Sequence, residues 1–329
     1  MILSKLNTAK SIKFRDSVEN FSFKSFSNSW VAIHPNPKGI IQFIGSFVFG
    51  SFPIKFYRYL LQNLFEQGYT IFVFRFPFTP LKFDHWQFTT ELLKEEYALR
   101  VEIIQFLKKN HKTSDNNLEI YLNDANYYWL GHSLGCKYIT LLEILSNDVN
   151  QRELILQKSL ANRYNQKLLS QLKSVDIARE NAEQEISKIL NRPTSINQYF
   201  IQNQPSILLA PEISNTVTVN GITIPTAKPF SKFELLVSPN ARETKSMIVQ
   251  SSDLFNLTGI ISFSQDFIAR DDINFLCKQL SLKPIYPPLH KELFGWHLDP
   301  NAVEIKHLGT SINQFFGELS TRVNLCKVI

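Results

Sequence analysis

The chain has 329 residues, of which 44% are hydrophobic and 19% are charged, so it can bury a large core and is not intrinsically disordered. Its net charge is +6, but the lysines and arginines are scattered rather than gathered in blocks, which argues against a nucleic-acid-binding protein. The three cysteines cannot all pair within one chain and form no Cys-x-x-Cys motif. We therefore expect a reducing compartment and no metal site.

The N-terminal segment is basic, with Lys5, Lys10 and Lys13 preceding the first acidic residue, Asp16. It lacks the apolar core of a secretion signal, and no apolar run of the chain is long enough to span a bilayer. We interpret residues 1–28 as an N-terminal extension and residues 29–329 as one domain.

The first half of this domain predicts a strand–helix–strand unit. Residues 29–35 and 40–44 are strand-like, Pro53 suits the first turn of a helix that ends near Gly68, and residues 70–76 form another buried strand. Two buried strands joined by a helical crossover lie parallel in one sheet. The sequence therefore predicts an α/β fold with a mostly parallel central sheet flanked by helices.

The remaining elements continue this alternation, with one interruption. Asp84 is a plausible N-cap for a helix over residues 86–109, and a strand at 127–130 leads into a helix that ends near Leu145. Residues 147–205 are polar and have a helical period, which predicts a helical cap insertion or, alternatively, a surface helical hairpin without a role in chemistry. Further strands are expected at 207–210, 259–264 and 284–294, a β excursion at 217–224, and helices at 242–252, 272–280 and 303–319.

The pentapeptide from Gly131 to Gly135 has the pattern Gly-x-Ser-x-Gly, between a predicted strand and a predicted helix. This is typical of a nucleophile elbow, in which the glycines let strand and helix approach and the serine takes a strained backbone conformation. The alternative is a tight turn in which Ser133 merely caps a helix. We favour the elbow because of its context, and assign Ser133 as the nucleophile.

A serine nucleophile needs a base and an acid, which follow it in the order Asp or Glu, then His, in this kind of fold. His297 follows Gly295 in a loop after the last strand-like segment, whereas His290 and His307 are better explained as packing or surface residues. Asp266, just past the strand at 259–264, is the best candidate for the acid. Asp271 and Asp272 are alternatives, although capping of the next helix explains them better.

The remaining site assignments are oxyanion donors and substrate contacts. The backbone N–H groups of Leu134 and of Ser46, in the loop after the first buried strand, are the expected oxyanion donors. Phe47, His132 and His85 are assigned to substrate binding; for His85 the alternative is a solvated residue beside the Asp84 cap. Five phenylalanines near the oxyanion loop suggest an apolar acyl substrate, although core packing also explains them: Phe43, Phe47, Phe49, Phe52 and Phe56.

Several segments carry a resemblance to one group of proteins: Ile40–Gly50, Phe83–His85, Gly131–Lys137 and Gly295–Pro300, together with Asp266. They resemble an uncharacterised domain-of-unknown-function family of the α/β-hydrolase superfamily, found in photosynthetic bacteria and plastids. The resemblance extends from Trp30 to Pro300 and is weakest between residues 147 and 205. It implies an α/β-hydrolase-like fold.

The resemblance also implies the same three residues, Ser133, Asp266 and His297, as the triad. The chain departs from the family in having Ser46 where Gly is usual, and Trp296 and Asp299 where Thr is usual. The extra carboxylate of Asp299 is expected to perturb the base. These departures bear on turnover rather than on the fold.

Two functions from different classes agree with these features. The first is a serine hydrolase, such as an esterase, a lipase-like enzyme or a thioesterase, that needs no cofactor and acts on a small apolar acyl substrate. The second is a catalytically inactive α/β-hydrolase-like protein that binds a partner or a lipid. We expect a cytoplasmic protein or, alternatively, one of the plastid stroma, with contact to a membrane surface as a further possibility.

Overall fold

A central sheet of eight strands organises the molecule, which we describe from a computed structural model. The structure describes residues 21–46, 49–75, 84–110, 115–160, 166–196, 200–214, 217–219, 222–224, 237–251, 254–282, 286–302 and 307–326.

Within these residues the strands and helices alternate along most of the chain. The strands are β1 (Lys24–Phe26), β2 (Ser29–Ala32), β3 (Gly39–Ile44), β4 (Tyr69–Phe74), β5 (Tyr127–His132), β6 (Ser206–Leu209), β7 (Val217–Val219), β8 (Ile222–Ile224), β9 (Thr258–Phe263) and β10 (Leu289–Leu293). The helices are α1 (Pro53–Phe56), α2 (Arg58–Glu66), α3 (His85–Lys109), α4 (Asp115–Leu122), α5 (Gly135–Leu145), α6 (Val149–Leu160), α7 (Gln166–Leu190), α8 (Ala241–Gln250), α9 (Arg270–Leu280), α10 (Asp299–Ala302) and α11 (Leu308–Cys326).

The strand order in the sheet is β1-β2-β4-β3-β5-β6-β9-β10. The six strands from β4 to β10 in this order run parallel, and β2 joins them antiparallel to β4. Helices cover both faces, so the predicted mostly parallel sheet flanked by helices is confirmed. Because parallel strands share one direction, the loops after β3, β5, β6, β9 and β10 all emerge at the same edge.

Alternate side chains of each central strand fill two separate cores. Trp129 packs on one side of the sheet with α3, α5 and α7, and Leu130 packs on the other side with α2 and α11. Every residue of β3, β4 and β6 is buried, as expected for strands covered on both faces. The sheet is therefore a rigid base for the loops that follow its parallel strands.

The predicted helix after Pro53 is divided in two at Tyr57, whose side chain turns inward and is fully buried. Asp84 caps α3 by accepting from the Gln87 N–H at 2.9 Å, as predicted. In the 147–205 insertion, α7 packs along α3, and Lys167 near its first turn pairs with Asp84. A cap role for this insertion stays a prediction.

Candidate active site

Ser133 lies in the tight turn between β5 and α5 and has a positive φ of 55°. Such a conformation is costly for a residue with a side chain and is tolerated where the surroundings impose it. A Cβ atom on Gly131 would lie 2.9 Å from the Cys136 nitrogen, and one on Gly135 would collide with the carbonyl oxygen of Ile44. The two glycines thus let β5, β3 and α5 approach closely enough to force the turn.

The Oγ atom of Ser133 lies 2.9 Å from Nε2 of His297, and Nδ1 of His297 lies 2.9 Å from Oδ2 of Asp266. The three residues follow β5, β9 and β10 at one edge of the sheet, and all are buried, with exposed fractions of 4%, 2% and 6% for Ser133, Asp266 and His297. The structure thus brings together the three residues that the sequence singled out. This geometry lets His297 accept the serine proton while the carboxylate orients the imidazole.

The Asp266 carboxylate is held ionised by its hydrogen bonds. Burial alone would raise its pKa, but the bond to His297 and the backbone N–H groups of Ile268 and Ala269, at 2.8 and 2.9 Å, lower it below the usual value for aspartate. Because an ionised carboxylate accepts only, the Nδ1 atom of His297 carries the hydrogen. In the neutral imidazole, the Nε2 atom then has its lone pair directed at Ser133.

His132, predicted to touch substrate, is instead fully buried between two elements of the site. Its Nε2 atom lies 2.8 Å from the backbone oxygen of His297, and its Nδ1 atom lies 2.8 Å from the Tyr57 hydroxyl. Burial and the neighbouring His297 lower the pKa of His132 to about 3, so the ring is neutral. A carbonyl oxygen can only accept, so the hydrogen of this ring sits on Nε2, and Nδ1 accepts from Tyr57.

The expected oxyanion donors differ in their surroundings. Leu134 is the N-cap residue of α5, directly after Ser133, and its role as an oxyanion donor stays a prediction. The N–H of Ser46 instead donates to the Tyr57 hydroxyl at 2.9 Å. It would become a donor to substrate only if that bond opened. Phe47, assigned to substrate binding, lies outside the described residues.

His85 is buried with 1% of its surface exposed, so the solvated alternative is wrong. Its Nδ1 atom lies 3.1 Å from the Tyr138 hydroxyl, and a substrate would have to displace covering residues to reach it. Of the phenylalanines near the oxyanion loop, Phe43 is buried in the core, whereas Phe52 is 63% exposed. Core packing thus explains Phe43 but not Phe52.

Two of the alternative triad residues, His290 and Asp272, make contacts outside the triad. Nε2 of His290, in β10, lies 3.0 Å from the Ser262 hydroxyl. His307 immediately precedes α11. Asp272 lies in the first turn of α9 but accepts the backbone N–H groups of Ile213 and Ser214, at 2.7 and 2.8 Å.

Two residues of the site were missed by the sequence analysis, Glu212 and Tyr57. An oxygen of the buried Glu212 carboxylate lies 3.2 Å from Ser133 Oγ. The sequence position of Glu212 could have identified it, because this residue follows the carboxyl end of a parallel strand, where functional side chains gather. Tyr57 lies within the helix predicted after Pro53, and no sequence signal distinguishes its hydroxyl contact from ordinary packing.

The described residues contain no cluster of His, Cys, Asp and Glu suited to a metal ion. In the same part of the chain, no helix has the length and apolarity needed to cross a membrane. Cys136 and Cys277 are free thiols. The predicted compartment stays a prediction.

Residues 22–315 match the model of a family described as a protein of unknown function (DUF1350). No curated protein sequence matches the chain. Among solved structures, esterase B from Lactobacillus rhamnosis, inhibited by a tributyrin phosphonate, is similar with a TM-score of 0.50 and 11% identity, over 94% of this chain and 89% of that chain. A putative carboxylesterase from Lactobacillus plantarum has a TM-score of 0.47 and 13% identity, over 91% and 99% of the two chains. The predicted α/β-hydrolase fold is confirmed.

Proposed function

Starting from a chain that belongs to the DUF1350 family and has the α/β-hydrolase fold, we propose that it is a serine hydrolase that cleaves esters or thioesters of apolar acyl groups. Because the likeness to esterases extends to the fold alone, the triad geometry carries this proposal. The decisive observation is the 2.9 Å distance between Ser133 Oγ and His297 Nε2. The other ring nitrogen, Nδ1 of His297, lies at the same distance from Oδ2 of Asp266.

The reaction proceeds through an acyl-enzyme. Ser133 Oγ attacks the carbonyl carbon while its proton passes to Nε2 of His297, and Asp266 stabilises the imidazolium. The developing oxyanion is stabilised by the Leu134 N–H and the N-terminus of α5. When the tetrahedral intermediate collapses, the bond to the alcohol or thiol breaks and that group leaves with the proton from His297.

Deacylation repeats these steps with water. A water molecule gives a proton to His297 and attacks the acyl carbon, and the carboxylic acid leaves as the proton returns to Ser133 Oγ. The enzyme is then restored, and no oxidant, metal or cofactor is required for the balance. This is why we propose a cofactor-independent hydrolase.

An apolar acyl substrate is supported by exposed side chains beside the triad. Phe267 follows Asp266 and is 65% exposed, and Trp296 precedes His297 and is 54% exposed. Their ring centroids lie 6.1 Å apart, and Leu298 is exposed on the other side of His297. Exposed apolar groups that cluster are characteristic of binding surfaces, whereas single ones are ordinary.

The proposal is tested by labelling with a fluorophosphonate probe together with hydrolysis of p-nitrophenyl butyrate. We expect the wild type to be labelled and to turn over, and both Ser133→Ala and His297→Ala to lose labelling and turnover. His290→Ala is the matched control, because it removes a histidine of the neighbouring strand that contacts Ser262 rather than Ser133. Equal labelling of wild type and Ser133→Ala would show that another residue reacts.

The alternative function is a catalytically inactive protein that binds a partner or lipid on this fold. One observation favours it: the Ser46 N–H, an expected oxyanion donor, is occupied by Tyr57. Absence of labelling in a folded wild type would support this alternative. Ser133 would then be a turn residue without chemistry.

A further inference from the structure

Glu212 places a second carboxylate against the nucleophile, apart from the acid of the triad. Its Oε2 atom lies 3.2 Å from Ser133 Oγ, and the residue is 8% exposed. Asp266 already orients His297, so the mechanism does not use Glu212. A buried carboxylate beside a reacting atom is typical of functional sites, so the position of Glu212 is a feature to explain.

The surrounding backbone fixes Glu212 in this position. Its own N–H donates to the carbonyl oxygen of Ser133 at 3.2 Å. The next two N–H groups, of Ile213 and Ser214, both donate to the Asp272 carboxylate, which Lys245 also contacts at 3.0 Å. The backbone at Glu212 is thus held by the elbow on one side and by Asp272 of α9 on the other.

The contact with Glu212 competes with catalysis, because a serine hydroxyl has only one hydrogen. When Ser133 donates to Glu212, the 2.9 Å contact with His297 requires Nε2 to be the donor, and a protonated base cannot accept the serine proton. When Ser133 donates to His297, the triad is ready for attack. A group that takes the place of Ser133 as the donor to Glu212 Oε2 therefore leaves the serine hydrogen to His297.

The local charge also favours a donor or a cation. Three carboxylates surround Ser133 and the loop beside it, those of Glu212, Asp266 and Asp272. The Lys137 side chain lies buried nearby, with Nζ 2.9 Å from the Pro239 oxygen. Burial lowers the pKa of Lys137 to about 7, although the negative charges of Asp272, Glu212 and Glu243 act in the opposite direction.

We propose that Glu212 is a substrate-recognition residue, whose carboxylate accepts a hydrogen bond from a hydroxyl or ammonium group carried close to the substrate carbonyl. This inference rests on the proposed hydrolase function in taking an acyl compound as the ligand. Given the 3.2 Å contact, the donor group lies roughly two or three bonds from the carbonyl carbon. The substrate class is an apolar acyl chain with such a donor near its ester or thioester.

The test compares three esters with the same four-carbon acyl chain: methyl butyrate, methyl 3-hydroxybutyrate and methyl 3-aminobutyrate. The wild type should show a kcat/KM about tenfold or more higher for the two donor-bearing esters, as one hydrogen bond to a charged group implies. Glu212→Gln should lose the preference for the ammonium ester. It should keep part of the preference for the hydroxyl ester, because the Gln carbonyl still accepts.

Glu243→Gln is the matched control. Glu243 is also a carboxylate close to Lys137, but it belongs to the capping box of α8, which a glutamine also completes. This variant should retain the wild-type preference. The same preference in wild type and Glu212→Gln would overturn the recognition role.

Calorimetric titration keeps this test separate from the test of hydrolysis. If the wild type hydrolyses none of the three esters, the same esters are titrated into wild type and Glu212→Gln. Tighter binding of the donor-bearing esters that is lost in the variant would sustain recognition by Glu212 while the hydrolase proposal fails. Equal dissociation constants in the two proteins would reject recognition by Glu212.

Discussion

The ring of His132 donates its Nε2–H to the backbone oxygen of His297 at 2.8 Å, so the residue before the nucleophile also holds the loop of the base. The same ring accepts from Tyr57, whose hydroxyl in turn receives the Ser46 N–H. One buried chain of hydrogen bonds thus connects three loops that arise at the same sheet edge. Their relative placement depends on a side chain that is not itself part of the triad.

His132→Leu should lower kcat about 10- to 100-fold with little change in KM. Leucine cannot donate to the His297 oxygen, so His297 would shift and lose its hydrogen-bond geometry with Ser133. His132→Gln should recover much of this loss, since its side-chain amide can still donate to the His297 oxygen. Steady-state kinetics of both variants on p-nitrophenyl butyrate provide the measurement. If the glutamine variant falls as far as the leucine variant, His132 does not act through this bond.

Because His132 is buried, we also expect the free energy of unfolding to depend on pH. The pKa of His132 is about 3 in the folded protein and about 6.5 in the unfolded chain. Below pH 6.5, His132 therefore binds a proton in the unfolded chain but stays neutral in the folded protein. The free energy of unfolding should therefore fall as the pH falls from about 6.5 towards 3, by up to about 1.4 kcal/mol per pH unit.

Urea unfolding at pH 7 and pH 4.5 measures this effect, with His132→Gln as the variant that lacks the titrating ring. Wild type should lose more stability than the variant between these two values. The lowered pKa of Asp266 acts in a lower range, because its stabilisation is present above the ordinary aspartate pKa of 3.8 and is lost below it. Identical losses in both proteins would contradict a neutral, buried His132.

Much of this site was predictable because its residues belong to the local pattern of strands and turns. Ser133 was identifiable from the glycines on either side, and Asp266 and His297 from their positions after late strands. Their common edge follows from parallel strand direction, which the apolar runs and helical crossovers already indicate.

Other contacts depend on tertiary packing and carry no periodic signal. Tyr57 interrupts a predicted helix because its side chain turns inward to His132. His85 was assigned to substrate binding, but α3 packs it against Tyr138. The pairing of Asp272 with the loop after β6 depends on how α9 meets that loop, which a sequence pattern does not encode.

Gly135→Ala should prevent the elbow from closing, because a Cβ there would collide with Ile44 and lie 2.8 Å from the Gly45 oxygen. These are backbone atoms of a central strand and its loop, which cannot move aside cheaply, so we expect a loss of several kcal/mol or failure to fold. Gly317→Ala is the control, since among the described residues no atom beyond the neighbouring backbone of α11 lies within 4 Å of a Cβ at that exposed helical position.

The control should gain about 0.5–1 kcal/mol of stability, because alanine is the better helix former. Chemical denaturation of both variants beside wild type provides the comparison. A Gly135→Ala protein with wild-type stability would mean that β3 and α5 do not approach as closely as described.

Asp266→Asn should lower kcat by a factor on the order of 10⁴ while leaving the fold intact. The asparagine amide can donate to Nδ1 of His297, which favours the tautomer with its hydrogen on Nε2, and that nitrogen then cannot accept the Ser133 proton. Asp299→Asn is the control, because it removes a carboxylate two residues after the base, His297. Asp299 accepts the Trp296 N–H at 2.7 Å, a contact that asparagine can also make, so its kcat should stay within about threefold of wild type.

Rates of fluorophosphonate labelling and of ester hydrolysis should fall together in Asp266→Asn and stay near wild type in Asp299→Asn. A comparable loss in both variants would mean that loop placement, rather than the proton on His297, limits the rate. Retained activity in Asp266→Asn would show that another carboxylate orients the base. Glu212 would be the first residue to examine, because its carboxylate already contacts the other end of the serine–histidine pair.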